Sequence, residues 1–248
     1  MPVLVYGIHA VSAALKKPKN VAEVIVSDEG RPNPRVAKIL AQAQTGHVRV
    51  ARIKKEELDK LSKGERHQGV VARLKEQAAV AAPTQDIVEL IQALNRPAFL
   101  LILDGVQDPH NLGACLRSAD AAGVDAVIVP KDNAVGLTSV ARKVACGAAE
   151  NIPFYQVTNL ARTMKELQEL GVWIAGAAGE AEQSVYQADL GGSIAIVMGA
   201  EESGMRRLTR EHCDFLVKIP MSGSVESLNV SVATGICLFE AVRQRLAV

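Results

Sequence analysis

Chemistry in this chain is concentrated in three short segments, each beginning where an apolar run ends. The first, Asp104-Gly105-Val106-Gln107-Asp108-Pro109-His110-Asn111, continues through Leu112-Gly113-Ala114-Cys115-Leu116 to Arg117. Asn111 is placed to cap the helix that follows, and Arg117 lies two turns in, among small and apolar residues. A guanidinium there needs an anion, either a structural carboxylate or an anionic ligand. The second segment, Gly199-Ala200-Glu201-Glu202-Ser203-Gly204-Met205-Arg206, has the Gly-x-x-x-x-Gly spacing of a phosphate loop. Met205-Arg206 stands where Lys-Ser/Thr is required, and two glutamates repel phosphate, so an NTPase is disfavoured. The glycines instead let backbone come close to a neutral or cationic ligand while Glu201 supplies a carboxylate. An ordinary acidic turn is the alternative. The third segment runs from Pro220-Met221-Ser222-Gly223-Ser224-Val225-Glu226 through Ser227-Leu228-Asn229-Val230-Ser231 into a helix containing Ala233-Thr234-Gly235. Ser227 and Asn229 suit helix capping. Gly235 costs helix propensity, which points to close approach by a ligand or a partner helix.

Positioning these segments falls to short, nearly continuous apolar runs at residues 98–103, 126–129, 172–175, 194–198 and 215–219, which alternate with helical patterns. Strands of that kind are buried on both faces, as in a parallel sheet covered by helices, and ligands bind beyond their carboxyl ends. The N-terminal part reads as a small α/β domain, with strands at 21–26, 48–53 and 69–74 and helices at 8–16, 34–44 and 54–61. Between them, Gln77-Ala78-Ala79-Val80-Ala81-Ala82-Pro83-Thr84 lacks charge and ends in proline. The division is thus residues 1–76, a linker at 77–84, and residues 85–248.

The net charge of +1 conceals an asymmetry: residues 1–76 hold 15 Lys and Arg against 8 Asp and Glu, net +7, and the remainder 13 against 19, net −6. A basic first part suits electrostatic contact with nucleic acid. Tyr6 is its only aromatic residue, so phosphate and shape contacts with a folded RNA are favoured over base stacking. Four scattered cysteines form no Cys-x-x-Cys pair and read as buried structural thiols. The five histidines, His9, His47, His67, His110 and His212, read as surface or hydrogen-bonding residues. Neither a Gly-x-Ser-x-Gly elbow nor metal-ligand spacing occurs, so hydrolase and metalloenzyme readings lack support and no metal is expected. No apolar run reaches the roughly 18 residues of a membrane span, and the uncharged start is too short for a signal peptide, so a cytoplasmic protein is expected.

The three segments, in this order at these strand ends, resemble the SpoU branch of the knotted (SPOUT, TrmH-type) RNA 2′-O-ribose methyltransferases. The likeness extends from Tyr6-Gly7-Ile8-His9-Ala10-Val11 through His67-Gln68-Gly69 to the C-terminal helix, and is nearest to the branch acting on guanosine in ribosomal RNA. It implies a catalytic parallel-sheet domain with a deep trefoil knot, preceded by an RNA-binding domain similar to certain ribosomal proteins. It implies S-adenosylmethionine as methyl donor, held in the knot loops around 199–204, 219–223 and 227–231. Gly199, Ile219 and Leu228 match its cofactor-contact positions, and Met221 is placed with them. Asn111, Arg117, Glu201, Ser227 and Asn229 fall on its polar active-site positions. The resemblance further implies a homodimer through the C-terminal helix and, as substrate, a guanosine in the peptidyl-transferase P loop of 23S rRNA. Two departures stand out: many members have glycine at the position of Glu202 and serine at that of Glu226, and both changes add negative charge.

Overall fold

The computed structural model describes residues 4–28, 33–62, 66–74, 86–201, 203–225 and 227–246. The expected linker at 77–84, and Glu202 and Glu226, lie outside the described residues. The chain separates into two units, residues 1–81 with 142–151, and residues 82–141 with 152–248.

The first unit is built on a four-stranded mixed sheet of β1 (Leu4–Tyr6), β2 (Val21–Ser27), β3 (Arg49–Ile53) and β4 (Val70–Leu74), in the order β1-β4-β2-β3. Side chains alternate between faces along a strand, and β2 uses that alternation to build two layers. Val24 and Val26 join α1 (Ile8–Ala14) and α2 (Pro34–Thr45) through Val11, Val36 and Ile39, whereas Ile25 points the other way to Leu58 of α3 (Lys55–Leu61). Helix α2 starts where Asn33 accepts from the Arg35 N–H and Pro34 supplies the first-turn φ. Strand β1, three residues long, is an addition to the elements expected from sequence.

The second unit is a seven-stranded, all-parallel sheet. Its strands are β5 (Phe99–Asp104), β6 (Ala126–Pro130), β7 (Phe154–Val157), β8 (Trp173–Ala177), β9 (Gln183–Ser184), β10 (Ile194–Gly199) and β11 (Phe215–Lys218). Their order is β7-β6-β5-β10-β8-β11-β9, so β10 enters between two strands made earlier. One face packs Leu100, Ile102, Ala195 and Val197 against α4 (Ile87–Gln92) and α8 (Leu160–Glu169). The helices α5 (Pro109–Ala122) and α10 (Val230–Leu246) pack on each other, and α10 also on β10. In sequence the chain also forms α6 (Ser139–Ala145), α7 (Ala148–Asn151) and the single-turn α9 (Arg207–Glu211). The far end of α10 is tied down by Arg245, which donates to the Ala98 carbonyl at 2.8 Å and lies over the Phe99 ring at 4.5 Å. The expected strands are all present, and the short β7 and β9 are additional.

Residues 142–151, which the sequence reading leaves with the catalytic part, group with the first unit. There Arg142 pairs with Glu150 at 3.1 Å, the Lys17 ammonium donates to the Glu150 carbonyl at 3.0 Å, and a side chain at Gly147 would strike the Ala13 methyl at 2.2 Å. Burial pushes the Glu150 carboxyl up despite Arg142. The buried-thiol reading holds for Cys115 and Cys237, while Cys213 is half-buried. It fails for Cys146, which is exposed at the corner between α6 and α7, where its φ is 53°.

Candidate active site

The carboxyl ends of β5 and β10 are neighbours in register, Asp104 opposite Gly199, which brings the first two chemical segments together. Gly199 is required by close approach: a Cβ there would lie 2.2 Å from the Gly204 carbonyl carbon. That contact closes the loop, with the Ala200 N–H donating to the Gly204 carbonyl at 3.0 Å and the Gly204 N–H returning to Ala200 at 2.9 Å. Gly204 itself sits at φ +65°, where other residues are strained. The loop's return is held by Asp104, whose carboxylate accepts from the Arg206 N–H at 2.8 Å and from Arg206 Nε at 2.6 Å. The Asp104 side chain is 0% exposed, so removing Arg206 would strand a buried charge, at a cost of about 3–5 kcal/mol.

Helix α5 does not begin as its sequence suggested. Asp108, rather than Asn111, is the N-cap, accepting from the His110 and Asn111 N–H groups, because Pro109 is preorganised for the first helical position. The Asn111 side chain is thereby free for the site. Asn229 Nδ2 donates to Asn111 Oδ1 at 3.0 Å and to Glu201 Oε1 at 2.5 Å, and the Val230 N–H reaches the same Glu201 oxygen at 3.4 Å. Asn229 Oδ1 meanwhile accepts from the Ser231 N–H and hydroxyl, so it caps α10 and joins the site at once. Gly235 faces α5 of the same chain, and its nearest neighbour would be the Ser118 hydroxyl at 3.8 Å, a distance with room for a methyl group.

Two cavities meet at this hydrogen-bonded junction. One, of about 370 Å³, is lined by Gly199, Ile219, Met221, Ser227 and Leu228, and by residues 177–179. The other, of about 510 Å³, is lined by Asp104, Gln107, Asp108, Asn111 and Arg206. Glu201 and Val230 belong to both walls. Arg117 lies on α5 six positions beyond Asn111, roughly 9 Å along the axis at 1.5 Å per residue. It is exposed, and no described residue pairs with it, so the structural carboxylate that would have explained it is missing among the described residues. Burial raises the Cys115 thiol to about 11 and those of Cys213 and Cys237 to about 12, which keeps all three from acting as thiolates. The described residues contain no cluster of His, Cys, Asp and Glu able to hold a metal ion. No helix among them is long and apolar enough to cross a membrane.

A model of the SpoU rRNA Methylase family matches residues 98–239, and one for RNA 2′-O ribose methyltransferase substrate binding matches residues 4–80. The chain belongs to the SpoU rRNA methylase family. Among its SpoU relatives, the 23S rRNA (guanosine-2′-O-)-methyltransferase RlmB of Shewanella oneidensis is 59% identical over 243 residues, covering 98% of this chain and 97% of that protein. The RlmB of Escherichia coli K12 is 56% identical over 246 residues, covering 99% and 100%. The SpoU fold is also that of AviRb from Streptomyces viridochromogenes, solved with AdoMet, at a TM-score of 0.79 and 24% identity over 99% of this chain and 91% of AviRb.

Within this SpoU site, the sequence reading missed Asp104, Asp108 and Arg206. The signal for Asp104 was present: a carboxylate ending the wholly apolar run Leu100-Leu101-Ile102-Leu103 has to find a buried partner. Its partner, 102 residues away, carried no sequence mark beyond its own charge.

Proposed function

We propose that the chain methylates the ribose 2′-hydroxyl of a guanosine in 23S rRNA, in the peptidyl-transferase P loop, with S-adenosylmethionine as donor. The observation that carries the reading is the Asn111–Asn229–Glu201 junction between two cavities, which gives donor and acceptor separate rooms and one meeting point. The RlmB relatives, matched over nearly their whole length, supply the nucleotide and the RNA. The deep trefoil knot and the division at residues 76 and 84 belong to the same proposal.

The smaller cavity fits the donor. Ile219, Leu228 and Val230 offer apolar walls for an adenine, close backbone offers hydrogen bonds, and Glu201 faces the end where a cation would sit. Gly199, Ile219, Met221 and Leu228 would hold it, and it supplies an electrophilic sulfonium methyl group to an in-line displacement. Asn111 and Asn229 orient the incoming hydroxyl. Glu201 Oε1 is engaged by Asn229 and Val230, which leaves Oε2 without a described partner and able to take the hydroxyl proton directly or through water. Ser227, on the cavity wall, is a second relay. Arg117 grips the phosphate beside the target ribose and stabilises alkoxide charge; a guanidinium stays protonated and cannot serve as base. No step calls for a metal.

The deciding experiment maps 2′-O-methylation on ribosomal RNA from a strain lacking this protein. Loss of the P-loop guanosine methyl is expected, and an unchanged P loop with a methyl missing from transfer RNA would overturn the assignment.

The first unit is proposed to bind the RNA through its basic excess. Deletion at residue 76 would separate α1 from the 142–151 segment grouped with it, so substitution is the cleaner test. Replacing the exposed Lys16, Lys19, Arg35 and Lys38 by glutamine should weaken RNA binding and flatten its salt dependence while donor binding survives. Filter binding across a salt series reads the slope, and an unaltered slope would contradict the role.

A homodimer through α10 is part of the reading. Val232 and Phe239 stand 51% and 48% exposed on that helix, an apolar face suited to a second copy. Sedimentation should give a dimer at micromolar concentration, and a species near the 26.4 kDa monomer mass would refute it.

A further inference from the structure

Arg206 is held in an unusual way. One carboxylate, Asp104, takes both its backbone N–H and its Nε, and that carboxylate is buried at the end of β5, so the plane of the guanidinium is fixed from behind. No described residue bonds to its two Nη nitrogens, the side chain is 46% exposed, and it lines the larger cavity beside Asn111 and Glu201. A planar two-donor fork is therefore presented to the room next to the point of methyl transfer.

The electrostatics of that room choose among occupants. Asp104 neutralises Arg206, and Asp108 and Glu201 add two further carboxylates to the lining, so a phosphate would be repelled. A neutral base is not. Val106 and Val230, both buried, supply apolar wall for its faces. Among the bases, guanine alone presents two adjacent acceptors, O6 and N7, matched to an arginine fork, whereas adenine places an amino donor where O6 would be. An enzyme that reacts at a nucleotide inside folded RNA draws that nucleotide out of its stack and reads it in a pocket.

We propose that Arg206 reads the target guanine through O6 and N7 in this cavity, and that Asp104 is the positioning residue that aims it. The inference rests on the proposed methylation of a guanosine at the Asn111–Glu201 junction, and adds the means by which guanine is selected.

The test compares short RNAs carrying the P-loop stem with guanosine, inosine or 7-deazaguanosine at the target position, using tritium transfer at saturating S-adenosylmethionine. Inosine keeps O6 and N7 and should stay within a few-fold of guanosine in kcat/KM. 7-Deazaguanosine lacks N7 and should fall about tenfold, within the discrimination expected of a bidentate pair. Arg206→Met, which leaves the buried Asp104 carboxylate only the backbone N–H of residue 206 and so lowers Tm, should in its folded fraction lower guanosine at least to the level of 7-deazaguanosine and abolish the difference between them. Asp104→Asn, whose amide oxygen can still accept from the Arg206 N–H and so keep the loop's return, should shrink that difference; a purely structural defect, read by calorimetry as weakened donor binding, would lower all three substrates in proportion. Equal use of guanosine and 7-deazaguanosine by the unaltered enzyme overturns the inference without help from any variant. A base preference that survives Arg206→Met overturns it too, and a shallower salt dependence in that variant would then mark a phosphate contact. Methylation of another RNA with none of these three accepted would overturn the proposed function, and the inference with it.

Discussion

Arg117→Ala should lower methyl transfer by about two orders of magnitude or more, the range seen when one donor to developing oxyanion charge is removed. The structure makes the loss specific, because Arg117 is exposed, lies outside the lining of both cavities, and has no described partner whose charge would be stranded. Folding and donor affinity should therefore be unaffected. Arg117→Lys should also fail badly, since an ammonium is a point charge and cannot reproduce a planar fork against phosphate and ribose oxygens. Tritium transfer to ribosomal RNA measures turnover, and titration calorimetry with S-adenosylmethionine measures donor binding. An alanine variant that has lost donor binding would move Arg117 from the RNA side of the site into its scaffold.

Gly199→Ala should abolish donor binding altogether. The added methyl would come within 2.2–2.6 Å of the Gly204 carbonyl group and the Met205 nitrogen, all of them backbone atoms that cannot swing aside as a side-chain tip could. Relief requires the 199–204 loop to open, and opening breaks the reciprocal Ala200–Gly204 hydrogen bonds and pulls against the Asp104–Arg206 tie. Glu201 would then lose its register with Asn229. Overpacking of this kind costs about 1–3 kcal/mol or more, so a fall in Tm should accompany the loss. Calorimetry showing normal donor affinity in a folded Gly199→Ala protein would mean that the loop is more pliable than its contacts imply.

The second unit was legible in sequence because a parallel sheet covered on both sides writes continuous apolar runs such as Phe99-Leu100-Leu101-Ile102-Leu103, and residues 126–129 and 194–198 do the same. Strands too short to show a period, Leu4–Tyr6 and Gln183–Ser184, left no such trace. The site was legible in a different way. Residue types and spacing singled out the three segments, but Asn111 meets Asn229 across 118 residues, and only the family resemblance joined them beforehand. Capping went wrong at Asn111 because Asp108 and Asn111 are both good caps, and the proline between them decides which one acts. The pairing of Asp104 with Arg206 was not legible because it spans 102 residues and is an ion pair with no motif of its own; a carboxylate at the end of a strand has a physical role first.

Strand order has a consequence for the chain while it is being synthesised. The first unit's strands are complete by Leu74, and β5 and β8 exist by Ala177, but the strand that belongs between them is not made until residues 194–199. Until then the growing sheet has a gap at its centre, with one flank of β5 and both flanks of β8, whose other neighbour β11 is made later still, offering unpaired backbone to any neighbouring chain. At roughly 5–20 residues per second this interval lasts seconds. A message broken before codon 194 would thus yield a fragment with β5 open on one flank and β8 open on both, a protein prone to aggregate rather than an enzyme of reduced activity.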